Sequence, residues 1–395
     1  MNKLRLATVF SGIGSIEFAL KRLGINHEIV FACDNGERDD VVIDYDREFD
    51  VIKNLGTLEE KHKYQEDLYN RLTKRKNYVQ ESYMANYKCP NSRFYQDIKL
   101  LDGRDFKGKV DLFVGGSPCQ SFSSVGFQGG LEDTRGTLFY DFARLVKEIE
   151  PKVFIYENVR NLLNHDGGKT WKIIKSVFYS LGYSISYKVL NAADYGIPQT
   201  RRRLFVVGYK TKNVYFRFPD CKELKFKMAD FMIDNCAFGE FVYGENGELL
   251  VGKKKGNVDQ KYILSPLLYA YVMKSGTKTW VQKPQINMPI ARTLLKTMGN
   301  RHRAGVDNYY SNDGSNDLGK VRMLTEREAH RLMGYTDDYK IVVSRAQAYK
   351  QAGNSIVVDV MMELVKSIID DDIFTLKKGG SKQWVHLKEI SSMST

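Results

Sequence analysis

The sequence is poor in cysteine and has no long apolar run. Its five cysteines, at positions 33, 89, 119, 221 and 236, are odd in number and form no Cys-x-x-Cys pair. That argues against a disulfide framework and against a zinc ribbon, and no metal site is expected. No apolar stretch approaches the roughly 20 residues that span a bilayer, so no membrane partner and a cytoplasmic location are expected. The opening Met1-Asn2-Lys3-Leu4-Arg5 leads straight into a strand-like segment without the apolar core of a secretory signal. Internal repeats are also missing.

What is present is a globular composition, 43% hydrophobic, in a chain of 395 residues, enough for a large domain and a smaller one. The formal net charge of +12 is unevenly spread. Residues 200–334 hold 24 of the 60 basic but only 13 of the 48 acidic residues, leaving 36 against 35 elsewhere. A basic block on a nearly neutral body is the electrostatic footprint of a polyanion binder, although a charge run is also compatible with a solvated face.

The chain opens with an apolar strand, Leu6 to Phe10, and a Gly-x-Gly turn, Ser11-Gly12-Ile13-Gly14-Ser15. A helix follows to Leu23, then a second strand, Glu28 to Cys33, ending on Asp34. This is the opening unit of an open parallel α/β sheet that holds an adenosine-containing ligand. A third small residue at position 17 would favour a dinucleotide; Glu17 there is unfavourable beside a pyrophosphate and leaves room for an adenosyl ligand bearing an amino acid. Asp34 is placed for ribose hydroxyls, or else is a loop carboxylate. Further strands at 110–114, 153–156 and 203–208 alternate with helices at 138–148 and 171–181. Two segments break the alternation: a charged insertion at about 47–87, read as a solvated surface helix, and the basic, Tyr-rich stretch from 211 to about 322. A helix is expected over Leu324 to Met333, and Gly353-Asn354-Ser355 is expected to open the last helix through Val365.

Chemistry-bearing residues gather just after the strands. Gly116-Ser117-Pro118-Cys119-Gln120 follows a buried strand, where α/β enzymes place catalytic groups, and a Cys there is poised as a thiolate or else is a structural Cys beside a turn proline. The glycine-rich loop from Ser121 to Gly130 reads as a lid. Glu157 ends the next strand, at the same sheet edge as Cys119, and Gln199-Thr200-Arg201-Arg202-Arg203 brings basic groups to it.

The order of these pieces resembles the bacterial cytosine carbon-5 DNA methyltransferase family. The matching segments are Phe10 to Gly14, Gly116 to Gln120, Arg135 to Phe139, Glu157 to Val159, Gln199 to Arg203, Leu324 to Gly334 and Gln351 to Ser355. They cover both ends of the chain and omit the basic middle and the insertion. The resemblance implies a Rossmann-like α/β sheet with helices on both faces, S-adenosyl-L-methionine as cofactor and double-stranded DNA as partner. Carbon 5 of cytosine is too electron-poor to take a methyl cation directly, so Cys119 would first add to carbon 6. Glu157 would hydrogen-bond the ring nitrogen and amine, and Arg203 and Arg201 the ring carbonyl and a phosphate. The target base would be flipped out of the duplex.

The same resemblance assigns the cofactor to Phe10, Gly12, Ile13, Gly14, Asp34, Asp97, Pro118, Asn354 and Ser355, with Asp97 at the adenine amine. The chain departs from the family in offering Asp34 and Glu37 where a Glu usually ends the second strand. Candidate DNA contacts are Ser123 and Gln128 in the lid and Arg301, His302 and Arg303 in the basic middle. The implied organisation is a catalytic domain over 1–210, a target-recognition domain over 211–322, a return to the catalytic domain over 323–375 and a flexible tail over 376–395. The family implies a monomer that can serve beside a cognate restriction endonuclease. The rival readings are a tRNA cytosine-5 methyltransferase, an inactive DNA-binding protein on the same scaffold and a nicotinamide oxidoreductase.

Overall fold

The computed structural model describes residues 3–38, 41–118, 138–211, 213–274, 276–277, 280–281, 284–300, 302 and 305–371. Short apolar runs bounded by turns become strands, and amphipathic runs become the helices that cover them. In chain order these are β1 (Leu4–Val9), α1 (Ser15–Arg22), β2 (His27–Cys33), α2 (Tyr45–Lys53), α3 (Leu58–Leu72), α4 (Tyr78–Asn86), β3 (Phe94–Tyr95), β4 (Leu112–Gly115), α5 (Leu138–Ile149), β5 (Val153–Val159), α6 (Lys169–Ser180), β6 (Ser184–Asn191) and β7 (Arg202–Tyr209). These seven strands form one sheet in the order β3-β2-β1-β4-β5-β7-β6. β3 to β5 run parallel, and β7 is antiparallel to both neighbours.

Successive strand residues point to opposite faces, and the core divides accordingly. Leu6, Leu112, Ile155 and Val207 pack with α1 and with the last helix. Ala7, Phe113, Phe154 and Val206 pack with Phe142 and Val146 of α5 and Phe178 of α6. Helices therefore lie on both faces, as an α/β sheet requires.

The basic stretch folds into small pieces: hairpins β8 (Phe241–Tyr243) with β9 (Leu249–Val251) and β10 (Gly276–Thr277) with β11 (Trp280–Val281), helix α7 (Pro266–Val272), and β12 (Tyr309–Tyr310) paired with β13 (Arg322–Met323). Leu264, Val272, Tyr309 and Val321 make a separate apolar cluster there. Phe216, Phe231 and Phe241, by contrast, join the core of the main sheet. The chain ends its described part with α8 (Glu326–Arg331), α9 (Arg345–Asn354) and α10 (Val358–Asp370). No helix among the described residues is long and apolar enough to cross a membrane.

Two expectations need correction. Gly353 and Asn354 do not open the last helix; they close α9, and Ser355 is extended before α10 begins. α9 has no apolar periodicity to announce it, and its penultimate residue is glycine because a Cβ at 353 would lie 2.4 Å from the backbone of Leu295 and Lys296. The insertion is not a single solvated helix either. It is three helices that bury Ile52, Leu68, Tyr69 and Tyr83, apolar positions too scattered among charges to show as a stripe.

Candidate active site

The register of the parallel strands builds the site. Val9 pairs with Cys33 and Gly115, and Gly115 with Tyr156. Phe10, Asp34, Gly116 and Glu157 therefore all emerge at one edge of the sheet, beyond or at the carboxyl ends of the strands, where open α/β folds hold ligands. They line a single cavity of about 300 Å³, together with Gly12, Ile13, Pro118, Arg201, Arg203 and Asn354.

At the β1–β2 side, Asp34 accepts from the Gly12 amide at 3.0 Å and the Gly36 amide at 2.9 Å. Burial raises its carboxyl, and the two backbone donors pull the other way. Glu37, with φ at 55°, reaches across the mouth to Asn354 Nδ2 at 2.7 Å, to Lys350 and to Lys296. Burial opposes its charge, but these donors hold it below the usual carboxylate range. Ser355 lines a smaller adjoining cavity of about 40 Å³ beside Phe10 and Gly12, and its hydroxyl lies 3.0 Å from Tyr335 Oη. Gly14 N-caps α1 outside both cavities.

At the β5–β7 side, Val159 pairs with Arg203, which brings Arg203 Nε to 3.3 Å from Glu157 Oε1. Burial raises the Glu157 carboxyl, opposed by Arg203 and then Arg201. Glycine at position 116 lets the ends of β4 and β5 approach, because a Cβ there would lie 2.9 Å from the Glu157 carbonyl oxygen and 2.8 Å from its Oε2. Asn158 donates to the Ser117 carbonyl at 2.9 Å, and Ser117 Oγ lies 2.7 Å from Tyr156 Oη. These bonds fix the chain that leads from β4 towards Cys119.

Sequence reasoning quoted Asn158 inside a motif but gave it no role, and it missed Lys296, Lys350, Tyr78 and Val79, which also line the cavity. None of these has a chemistry-bearing signature on its own. Cys119, Ser123, Gln128, Arg301 and Arg303 lie outside the described residues. His302 is placed away from the cavity, with Nδ1 3.2 Å from Tyr309 Oη; burial and Arg345 lower its pKa.

Three placements differ from expectation. Arg201 lines the cavity, but its guanidinium donates to the carbonyls of Leu294, Gly353 and Ser355 at 2.8–3.0 Å. Burial and the neighbouring Arg203 lower its pKa to about 9. Asp97 does not line the cavity; its carboxylate accepts from Tyr45 and Tyr69. Glu17 does not face a ligand either: it is fully buried and accepts from Tyr83 Oη at 2.6 Å.

Known proteins resemble this chain along most of its length. The model of the C-5 cytosine-specific DNA methylase family matches residues 71–370. Type II methyltransferase M.HhaI of Haemophilus parahaemolyticus is 35% identical over 293 residues, 74% of this chain and 84% of that protein. Type II methyltransferase M.SsoII of Shigella sonnei is 34% identical over 305 residues, covering 74% and 71%. In fold, the chain superposes on the S. pombe Dnmt2 methyltransferase with a TM-score of 0.63 at 16% identity, covering 94% of this chain and 99% of that one. The Entamoeba histolytica methyltransferase EhMeth gives a TM-score of 0.62 at 15% identity, covering 94% and 99%.

Proposed function

The chain belongs to the C-5 cytosine-specific DNA methylase family, and on that premise we propose that Cys119, Glu157 and Arg203 methylate a flipped cytosine. The protein is a DNA (cytosine-5) methyltransferase with S-adenosyl-L-methionine as cofactor. The single observation that carries the assignment of roles is the Glu157–Arg203 pair, 3.3 Å apart, in the same cavity as the Phe10–Asp34 turn.

The cavity suits that cofactor. Phe10, Ile13 and Pro118 offer apolar surface for an adenine ring, and Asp34, Glu37 and Asn354 offer polar groups for ribose and amino acid. When bound, the cofactor supplies an electrophilic methyl group. The Cys119 thiolate adds to carbon 6 of the cytosine, which makes carbon 5 nucleophilic. Glu157, its carboxyl raised by burial, donates to the ring nitrogen as negative charge develops there, and Arg203 donates from its guanidinium to the ring carbonyl oxygen. After methyl transfer a base takes the carbon-5 proton and the Cys119 sulfur leaves. Arg201 acts behind these groups, fixing the backbone of Leu294, Gly353 and Ser355 around the cavity.

The basic segment 211–322 reads the target sequence, with its own apolar cluster as scaffold and Arg301, His302 and Arg303 as contacts to bases or phosphates. Ser123 and Gln128 are further candidate contacts to the DNA. The relatives' designation as Type II methyltransferases supports a sequence-specific enzyme of a restriction-modification system, with a cognate restriction endonuclease as its counterpart. The protein works as a cytoplasmic monomer on this reading. The test is transfer of labelled methyl to unmethylated DNA and, in parallel, to total tRNA, followed by nucleoside analysis. 5-Methylcytosine in DNA is the expected product. Label in tRNA alone, or in neither, defeats the reading.

A further inference from the structure

The inserted helices remove one expected contact from the cavity and bring others into it. Asp97 Oδ2 accepts from Tyr45 Oη of α2 at 3.0 Å and Tyr69 Oη of α3 at 2.7 Å, while Oδ1 accepts from the Lys99 amide at 2.9 Å. The Lys99 ammonium sits 4.4 Å from the centre of the Tyr45 ring, over the same cluster. Asp97 is 6% exposed, so this carboxylate faces the insertion and not a ligand.

Tyr78 and Val79, the first two residues of α4, do line the cavity. They are pinned from two sides. Asn77 caps α4 by accepting from the Gln80 amide, and its Nδ2 donates to the Asp34 carbonyl at 2.8 Å and to Gln96 Oε1 at 3.0 Å. From α9, Gln351 Nε2 donates to the Tyr78 carbonyl at 2.9 Å, and Ser82 Oγ donates to Gln351 Oε1 at 2.9 Å. Farther along α4 and just past it, Tyr83 donates to the buried Glu17 of α1, and Tyr87 Oη lies 2.6 Å from the Gly14 carbonyl. The insertion is thus braced against the Gly-x-Gly turn, the Asp34 loop and the helix that ends in Asn354. It presents two apolar side chains between the last two.

Resting on the cofactor reading of this cavity, we infer that Tyr78 and Val79 are cofactor-binding residues, the insertion's contribution to the wall against which the adenosyl group packs. Adenine exposes two flat apolar faces whose burial favours aromatic and branched side chains. The Asp34 loop, through Asn77, holds Tyr78 on the side of the cavity that this reading gives to the ribose and adenine. In this chain the insertion replaces a carboxylate contact with packing.

The test is calorimetric titration of the apoprotein with S-adenosylhomocysteine, which reads binding without turnover. Tyr78→Ala is expected to weaken binding about tenfold and Tyr78→Phe by no more than about twofold, with affinity for DNA alone unchanged. Tyr78 is 37% exposed, so its truncation leaves the core intact, and Val79→Ser repeats the test from the adjacent position. Asp97→Asn is expected to keep wild-type affinity for S-adenosylhomocysteine while lowering the thermal midpoint. Wild-type binding by both Tyr78→Ala and Val79→Ser, or a tenfold loss in a folded Asp97→Asn variant, overturns the inference. A wild-type protein that binds neither S-adenosylmethionine nor S-adenosylhomocysteine defeats the cofactor reading itself, so the two failures are distinguishable.

Discussion

The two walls of the cavity are built differently. On the β1–β2 side the acidic groups are tied down: each oxygen of Asp34 takes a backbone N–H, and Glu37 is held by Asn354, Lys350 and Lys296. On the β5–β7 side Glu157 has one ion-pair partner among the described residues, Arg203, at 3.3 Å, and burial keeps its carboxyl raised. A wall whose donors and acceptors are already satisfied holds a shape. A buried acid with a raised pKa next to a guanidinium is ready to exchange hydrogen bonds as charge develops. On the proposed reading, the first wall binds and the second reacts.

The largest effect that tests this division is on turnover. Cys119→Ala is expected to lower methyl transfer by more than about 10⁴-fold, and Glu157→Gln by about 10²- to 10³-fold. Both should keep wild-type affinity for S-adenosylhomocysteine. Single-turnover transfer together with calorimetry separates the two quantities, and a Glu157→Gln variant that loses cofactor affinity in proportion to rate erases the distinction between the walls.

Next in size is the contrast within one motif. Arg203 faces the cavity, whereas the Arg201 guanidinium joins three carbonyls from two distant segments. Arg201→Met leaves those carbonyls without donors in a buried place and is expected to cost about 2–4 kcal/mol of stability. Arg203→Met leaves the buried Glu157 without its guanidinium, but that acid can take up a proton instead, so the cost is expected to be smaller, about 1–2 kcal/mol, while kcat falls at least as much. Chemical denaturation read beside kcat checks both. Equal destabilisation by the two variants would make the motif a structural strap throughout.

These contrasts mark what the sequence discloses. Strands β1, β2, β4 and β5 are short apolar runs that lead into chemistry-bearing residues, so the sheet edge and the convergence of Phe10, Asp34, Gly116 and Glu157 are legible from local pattern. The division between Arg201 and Arg203 is not, because residues two apart share one face of a strand by pattern, whereas Arg201 precedes β7 and its partners lie about 90 and 150 residues away. The insertion is hidden for a related reason. Beside Ile52 and Leu68 it buries Tyr69 and Tyr83, whose hydroxyls bond to Asp97 and Glu17, and in sequence such tyrosines look like part of a polar surface. The same partnership explains Asp97, to which the resemblance assigns a cofactor contact and whose carboxylate instead accepts from Tyr45 and Tyr69.

Glu17 offers the finest test, because it stands behind the binding wall. It is 0% exposed; Oε1 accepts from Tyr83 Oη at 2.6 Å and from Thr8 Oγ1 at 3.1 Å, and Oε2 has no partner among the described residues. Thr8 Oγ1 is in turn 2.7 Å from Ser11 Oγ, at the start of the Gly-x-Gly turn. Burial raises the Glu17 carboxyl from 4.5 to about 7, against the pull of its hydroxyl donors. The folded state therefore binds a proton that the unfolded state releases near pH 4.5. The resulting stability is fully present below that pH and is lost as pH climbs through about 7. The difference is on the order of 3 kcal/mol, from about 1.4 kcal/mol for each pKa unit. Denaturation of wild type and Glu17→Gln across pH 5 to 8 isolates it: the wild type is expected to lose stability relative to the variant as pH rises. A constant difference between the two would mean that Glu17 stays ionised in the fold, with an ion or water at Oε2, and that the binding wall rests on a charge.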